Sequence, residues 1–155
     1  MLNYDPANAV SLTNVNTGIR VDREVAGIPD LQAIFEVFGG PVLVTGLYGV
    51  VTVALQAAAT TILMYMDVTA GAPALDFDLS VASADFTGDA IGTIYMMPAT
   101  TAGAITVSAG LNICPSYILP IGELMLDSSA LRTGTIKWSM FYYPLTEGAY
   151  VEAHA

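Results

Sequence analysis

Basic residues are scarce in this sequence. Four of its 155 residues are Lys or Arg, against fourteen Asp or Glu, which gives a formal net charge of −10 at pH 7. Proteins that bind nucleic acid need clustered Lys and Arg to displace counterions from phosphates, and an anionic membrane surface attracts basic segments. The charge balance therefore argues against nucleic acid and membranes as partners.

Cysteine and histidine are rarer still. Cys114 is the only cysteine, so the sequence allows no internal disulfide and no thiolate cluster for a metal, and we expect a small buried apolar residue there. His154 is the only histidine and stands next to the last residue, where we interpret it as a solvated terminal side chain. No phosphate-binding loop or catalytic motif occurs. We predict a protein that is not an enzyme, without cofactor or metal site.

Acidic residues form one cluster, Asp76, Asp78, Asp85 and Asp89. The start of this run resembles a calcium-binding loop, but the sixth position holds Val81 where the EF-hand turn requires glycine. We interpret the four residues as solvent-facing strand carboxylates and a turn aspartate. A small calcium site in the turn between Asp85 and Asp89 stays open as an alternative.

Charge of either sign is sparse, at 12% of the residues against a usual level of about 25%. The segment 37–66 has no charged residue at all, but its glycines, prolines and β-branched residues and its acidic flanks do not fit a membrane helix. The first residues have neither the basic start nor the apolar run of a signal peptide, which predicts synthesis in the cytoplasm. The length predicts one domain.

The segment Ala33–Leu55 predicts two long strands joined by a bend at Gly39–Pro41. In the second strand one face carries Val42, Val44, Tyr48 and Val50, and the other carries Leu43, Leu47, Val51, Val53 and Leu55. Because both faces are apolar, this strand needs cover on both sides. It predicts either the middle of a sandwich or a sheet that packs on a neighbouring chain.

Short apolar runs separated by Gly, Pro, Asp or Ser predict further strands. These cover Thr61–Val68, Leu75–Val81, Ile91–Met97, Ile105–Ser108, Ile113–Leu119, Glu123–Leu126 and Thr135–Tyr143. We predict an all-β fold, a single antiparallel β-sandwich or jelly-roll-like barrel over residues 31–145. Residues 1–30 and 146–155 lack a core pattern, so we predict an extended N-terminal arm and a C-terminal tail.

The strand Thr135–Tyr143 carries aromatic side chains on both faces. Trp138 is interpreted first as a core residue, but aromatic residues are also enriched where a subunit interface forms. The candidate subunit interface consists of Tyr48, Trp138, Phe141 and Tyr143.

Three segments carry a resemblance to a known family, namely Phe38–Thr52, Asp85–Thr93 and Thr133–Ala149. Together they resemble small virion proteins of tailed bacteriophages, of the capsid decoration or cement type. The resemblance covers roughly residues 33 to 152 and is carried by glycine turns and β-strands; residues 1–30 lie outside it.

This resemblance implies an all-β homotrimer, made in the host cytoplasm and bound to the outer surface of the capsid, where it contacts the major capsid protein and stabilises the shell. We further expect residues 1–25 and 144–155 to reach neighbouring subunits. Low charge and strands that are apolar on both faces suit permanent burial in an assembly, and acidity suits the outside of a shell. Two alternatives remain: another virion part, such as a head-vertex or tail component, and a β-barrel that binds a hydrophobic small molecule. In the barrel, Met64, Met66, Met96 and Met97 would form an adaptable lining.

Overall fold

Two antiparallel β-sheets make up the part of the protein that the structure describes, residues 18–28, 30–69, 76–107 and 116–155 of a computed structural model. None of these residues is helical. The strands are β1 (Ile19–Ile28), β2 (Leu31–Phe38), β3 (Val42–Val53), β4 (Ile62–Val68), β5 (Phe77–Asp78), β6 (Ile94–Met96), β7 (Thr106–Val107), β8 (Tyr117–Leu119), β9 (Gly122–Ser128), β10 (Arg132–Pro144) and β11 (Tyr150–Ala153).

Strands β1 to β4 and β8 to β11 alternate between the two sheets, whereas β5 follows β4 in sheet B and β6 to β8 all belong to sheet A. Sheet A has the order β1-β10-β3, and the far edge of β3 pairs with β8 at one end and with β6 at the other, with β7 beyond β6. Sheet B has the order β11-β2-β9-β4-β5. The four-strand runs β1-β10-β3-β8 and β2-β9-β4-β5 have the connectivity of a two-sheet jelly roll. The predicted all-β antiparallel sandwich is confirmed.

The core lies between the sheets and is apolar. From β10, Ile136, Trp138, Met140 and Tyr142 alternate inward with 0–3% of their surface exposed. Trp138 pairs with Gly49 of β3, where an added Cβ atom would lie 2.9 Å from the indole ring. Glycine at this position therefore makes room for the largest side chain of the core.

A β-bulge in β3 changes which side chains face inward. Phe141 pairs with Gly46 and Tyr142 with Val44, so Thr45 is an extra residue on β3. Val44 is buried before the bulge and Leu47 after it, which places these two residues on the same face. The predicted assignment of the two faces of this strand is wrong from Leu47 to Val51, because a one-residue shift moves these side chains to the opposite face. A second register shift between Val51 and Val53 ends this stretch.

The predicted arms are partly incorporated into the sheets. β1 pairs with β10 along its length, from Ile19 opposite Tyr142 to Ile28 opposite Arg132. β11 pairs with β2. The N-terminal arm is therefore wrong for residues 19–28 and the tail is wrong for 150–153. Both strands lie at the edges of the described sheets, and few of their residues are buried, namely Val25 and Ile28 in β1 and Val151 in β11, so their apolar pattern is short.

Side-chain hydroxyls explain why, of the described residues 76–81 of the predicted strand Leu75–Val81, two form β5. Ser80 Oγ accepts a hydrogen bond from the Met64 N–H at 3.0 Å, and Ser83 Oγ accepts one from the Ile62 N–H at 2.9 Å. These hydroxyls take the place of backbone carbonyls beside β4, so the chain continues along it without a regular ladder.

Several sequence predictions lie outside the described residues. They concern Leu75, Cys114 and residues 1–17 of the predicted N-terminal arm. The other predicted strands are present with moved boundaries, as β4 and β6 to β10.

Candidate interaction surface

The outer face of sheet A carries a group of apolar side chains that we call the sheet A patch. Cross-strand register places Tyr48 between Ser139 and Met96, and Leu43 between Tyr143 and Ile118. Its members come from β3, β6, β8 and β10, and they are Leu43, Tyr48, Val50, Ile94, Met96, Ile118, Phe141 and Tyr143. No described strand packs against this face. Ile118 is 64% exposed and the others are half-buried by their neighbours.

Two aromatic rings lie at the centre of the sheet A patch. Tyr48 and Phe141 stack with ring centroids 6.3 Å apart and an interplanar angle of 22°. The Arg20 guanidinium lies 5.7 Å from the centroid of the Phe141 ring, a cation–π distance. Of the four predicted interface residues, the structure thus brings Tyr48, Phe141 and Tyr143 to one face.

Trp138 does not belong to this surface. It is 0% exposed and lies in the core between the sheets. The sequence prediction was wrong to include it with the interface candidates, because adjacent residues of a strand point to opposite faces and Trp138 alternates with Phe141 and Tyr143. Its interpretation as a core residue is confirmed.

A small ion-pair network borders the sheet A patch where β1 meets β10. Asp22 Oδ1 accepts hydrogen bonds from Arg20 Nε at 2.9 Å and from Ser139 Oγ at 2.7 Å, and Lys137 Nζ lies 3.2 Å from Asp22 Oδ2. Partial burial raises the pKa of Asp22, but the hydrogen bonds from Ser139, Arg20 and Lys137 outweigh burial and lower this pKa below its usual value. Glu24 accepts a hydrogen bond from Thr52 Oγ1 at 2.9 Å.

Sequence reasoning missed most of the sheet A patch. Leu43, Val50, Ile94, Met96 and Ile118 were not among the predicted interface residues. The signal was present in part, since β3 is apolar on both faces and we took this to require cover on both sides. The bulge at Thr45 hid which of these side chains share a face with Phe141.

The outer face of sheet B is acidic. Glu152, Glu36, Glu123 and Asp67 occupy directly paired positions on β11, β2, β9 and β4, so four carboxylates form one row across four adjacent strands. We call this the acidic row. Asp127 on β9 and Asp78 on β5 point to the same side. Like charges directly opposite each other destabilise a sheet.

His154 is not the freely solvated terminal residue that the sequence predicts. Its backbone N–H donates to the Ile34 carbonyl at 3.1 Å, and its Nε2 lies 3.4 Å from Glu123 Oε1. The reason is that β11 pairs with β2 and thereby places the following residue above the acidic row.

The four aspartates of the predicted acidic cluster lie in different surroundings, and three of them accept hydrogen bonds. Asp76 accepts from the Val68 N–H at 3.2 Å, Asp85 accepts from the Thr60 N–H at 2.8 Å, and Asp89 accepts from the Tyr95 hydroxyl. Asp78 lies on the outer face of sheet B. The bond from the Thr60 N–H lowers the pKa of Asp85. These contacts support the interpretation as strand and turn carboxylates.

The four methionines of the ligand-binding alternative do not line one space. Met64, Met66 and Met97 belong to the packed core, whereas Met96 points outward in the sheet A patch. A surface depression of about 170 Å³ lies beside Thr61, Leu63 and Ser129, below the roughly 300–1,000 Å³ of ligand pockets. No helix that could cross a membrane occurs among the described residues.

Comparison with protein families, curated proteins and solved structures gave no significant match. The inference about function therefore rests on the geometry of the two outer faces and on the sequence resemblance.

Proposed function

We propose that this protein is a non-enzymatic structural component of a bacteriophage virion, a capsid decoration protein that binds the outer surface of the shell through the sheet A patch. The observation that carries this proposal is the apolar outer face of sheet A, centred on the stacked Tyr48 and Phe141. A contiguous group of apolar residues on the outer side of a complete sandwich is typical of an interaction site, since monomeric proteins rarely expose large apolar patches.

Burial of the sheet A patch supplies the favourable free energy of docking, at about 25 cal/mol per Å² of apolar surface removed from water. Tyr and Phe are typical centres of such interfaces because they combine large contact area with few rotatable bonds. The Arg20, Asp22 and Lys137 network lies at the rim, where charges contribute mainly to orientation and specificity.

The acidic face of sheet B supports the same orientation. If sheet A faces the shell, sheet B faces solvent on the far side of the sandwich. A net charge of −10 favours solubility and repels other acidic particles and free nucleic acid. The acidic face is thus suited to the outside of a particle.

The fold is compatible with this role. Two-sheet jelly rolls occur in viral capsid domains, but also in lectins and cupins, so the fold alone does not select a function. In the described part of the chain the buried polar side chains other than Tyr and Trp are Ser or Thr, and several are used in backbone or side-chain hydrogen bonds.

The partners in this proposal are the major capsid protein and further copies of the chain in a trimer, as the resemblance implies. In this proposal the trimer forms either in solution or only when the subunits bind the capsid shell. Because β1 and β11 belong to the sandwich, we no longer assign contacts between subunits to residues 19–28 and 150–153.

The test is co-sedimentation of the purified protein with undecorated, expanded shells of the phage that encodes it. We expect saturable binding by the wild type and loss of binding by Phe141→Asp, because this change removes the ring that stacks on Tyr48 and places a carboxylate at the apolar centre of the patch. Tyr65→Asp is the matched control, since it adds one carboxylate to the outer face of sheet B.

Equal binding by the wild type and Phe141→Asp would refute docking through sheet A, and no binding by the wild type would refute the cement role. In the second case, fractionation of the virion into heads and tails locates the protein if it is a vertex or tail component. Circular dichroism of both variants verifies that the sandwich is retained.

A further inference from the structure

Three side chains on the outer face of sheet B have the composition of a metal-binding site. Glu36 lies on β2, Glu123 on β9, and His154 directly after β11. One carboxylate oxygen from each glutamate and one imidazole nitrogen lie within 4.8 Å of one another. All three residues are half-buried, so the side chains have limited freedom to turn away.

Backbone pairing holds these residues in place. Glu36 pairs directly with Glu123, and β11 is fixed to β2 by pairs that run from Tyr150 to Ala153. The hydrogen bond from the His154 N–H to the Ile34 carbonyl continues this pairing by one residue. The donor atoms are therefore presented by a rigid sheet rather than by a loop, which is the arrangement that lowers the cost of ordering a site.

The charge distribution around the three residues favours binding of a cation. Glu36 and Glu123 stand in the middle of the acidic row, with Glu152 and Asp67 beyond them. All four Lys and Arg residues of the sequence lie in β1 and β10, and none lies in sheet B. Sheet B therefore has no Lys or Arg to neutralise the row, and the imidazole of His154 lies 3.4 Å from the carboxylate of Glu123.

We propose that Glu36, Glu123 and His154 bind a divalent transition-metal ion, with Zn²⁺ the best fit. Imidazole nitrogen and carboxylate oxygen are both zinc ligands, and three protein ligands with one open position is a common zinc arrangement. Ca²⁺ is a poorer fit because it takes six to eight oxygen ligands. The ion links β11, β2 and β9 and offsets the repulsion within the acidic row. This inference does not depend on the proposed function.

The test uses the untagged full-length chain, freed of metal with EDTA and dialysed. Isothermal titration with Zn²⁺ should show one equivalent per chain, and Tm should rise by several degrees with Zn²⁺ but not with equal Ca²⁺. Because His154 is the only histidine, the imidazole signals in an NMR spectrum are unambiguous, and they should shift in step with the titration.

Substitution of each ligand provides the decisive comparison. His154→Ala, Glu36→Gln and Glu123→Gln should each weaken Zn²⁺ binding by at least about tenfold, since loss of even an outer partner of a metal ligand costs 10–100-fold. Asp127→Asn is the matched control, because Asp127 lies on the same face of β9 as Glu123 but outside the acidic row. It should bind Zn²⁺ as the wild type does.

Two results would overturn the proposal. One is the absence of saturable Zn²⁺ binding. The other is binding that persists without His154, or that Asp127→Asn weakens as much as Glu123→Gln, which would mean diffuse attraction to an acidic face and an adventitious ion only.

Discussion

The two outer faces of this sandwich differ sharply, although both belong to sheets of the same antiparallel type. Sheet A presents the sheet A patch beside two cations and two carboxylates, Arg20, Lys137, Asp22 and Glu24, that lie on neighbouring strands. Sheet B presents six carboxylates and contains no Lys or Arg. The outer face of sheet A can therefore be removed from water at low electrostatic cost, whereas the outer face of sheet B cannot.

If the outer face of sheet A is an interaction surface, its side chains should contribute much less to the free energy of unfolding than those of the inner face. Trp138→Ala on the inner face of β10 should lower the free energy of unfolding by about 3–5 kcal/mol. Phe141→Ala on the outer face should lower it by about 1 kcal/mol or less, because its ring is already partly in water and loses mainly the stack on Tyr48. Urea denaturation followed by far-UV circular dichroism measures both values.

If Phe141→Ala costs as much as Trp138→Ala, the outer face is part of the chain's own core and the contrast between the two faces fails. Should Trp138→Ala not fold, Trp138→Phe leaves a smaller cavity at the same site and preserves the comparison with Phe141→Leu.

The acidic row should carry a measurable repulsion in the absence of metal. Glu36→Gln removes one of two directly opposed carboxylates and should raise the free energy of unfolding by about 0.5–1 kcal/mol at low salt in EDTA. Salt near 1 M, where the Debye length is about 3 Å, should shrink this gain. Urea denaturation at the two salt concentrations is the measurement.

Glu147→Gln is the control for net charge, since Glu147 is exposed in the turn before β11 and should change stability by less than about 0.5 kcal/mol. A Glu36→Gln protein that is no more stable than the wild type would show that the acidic row is not strained.

The smallest expected effect concerns the ion pairs at the edge of sheet A. Because the folded protein lowers the pKa of Asp22, this group stabilises the fold above its unfolded pKa of about 3.9, and the stabilisation is lost as pH falls through the lower folded value. Asp22 is 33% exposed, so Asp22→Asn should cost less than about 1 kcal/mol at pH 7.

The wild type and Asp22→Asn should become equally stable once the pH is below the folded pKa. Denaturation curves across that range test this expectation, with Asp30→Asn at an exposed position as the control. A difference that persists unchanged at acid pH would mean that shape, not charge, is what Asp22 contributes.

Local patterns in the sequence predicted the fold class well. Alternation over Thr61–Val68 and Thr135–Tyr143 predicted β4 and β10, and the glycine and proline at the bend separated β2 from β3. These features depend on residues next to one another in the chain, and the physics of a pleated strand makes them visible without a structure.

Features that depend on pairing partners were not predictable in the same way. The charged residues of β1 hid its strand character, because only Val25 and Ile28 of its ten residues are buried. The acidic row and the three metal-binding candidates come from strands far apart in the sequence. His154 in particular looked like a terminal residue until the register of β11 was known.

The position of β10 has a consequence for the time at which the chain can fold. β10 lies between β1 and β3, and β11 completes the edge of sheet B. During synthesis β1 therefore has no neighbour in its sheet until Arg132–Pro144 has left the ribosome, and closure of such non-local pairs is slow. A chain stopped after Leu131 would leave the edge of β3 and the whole of β1 unpaired, and such edges promote aggregation.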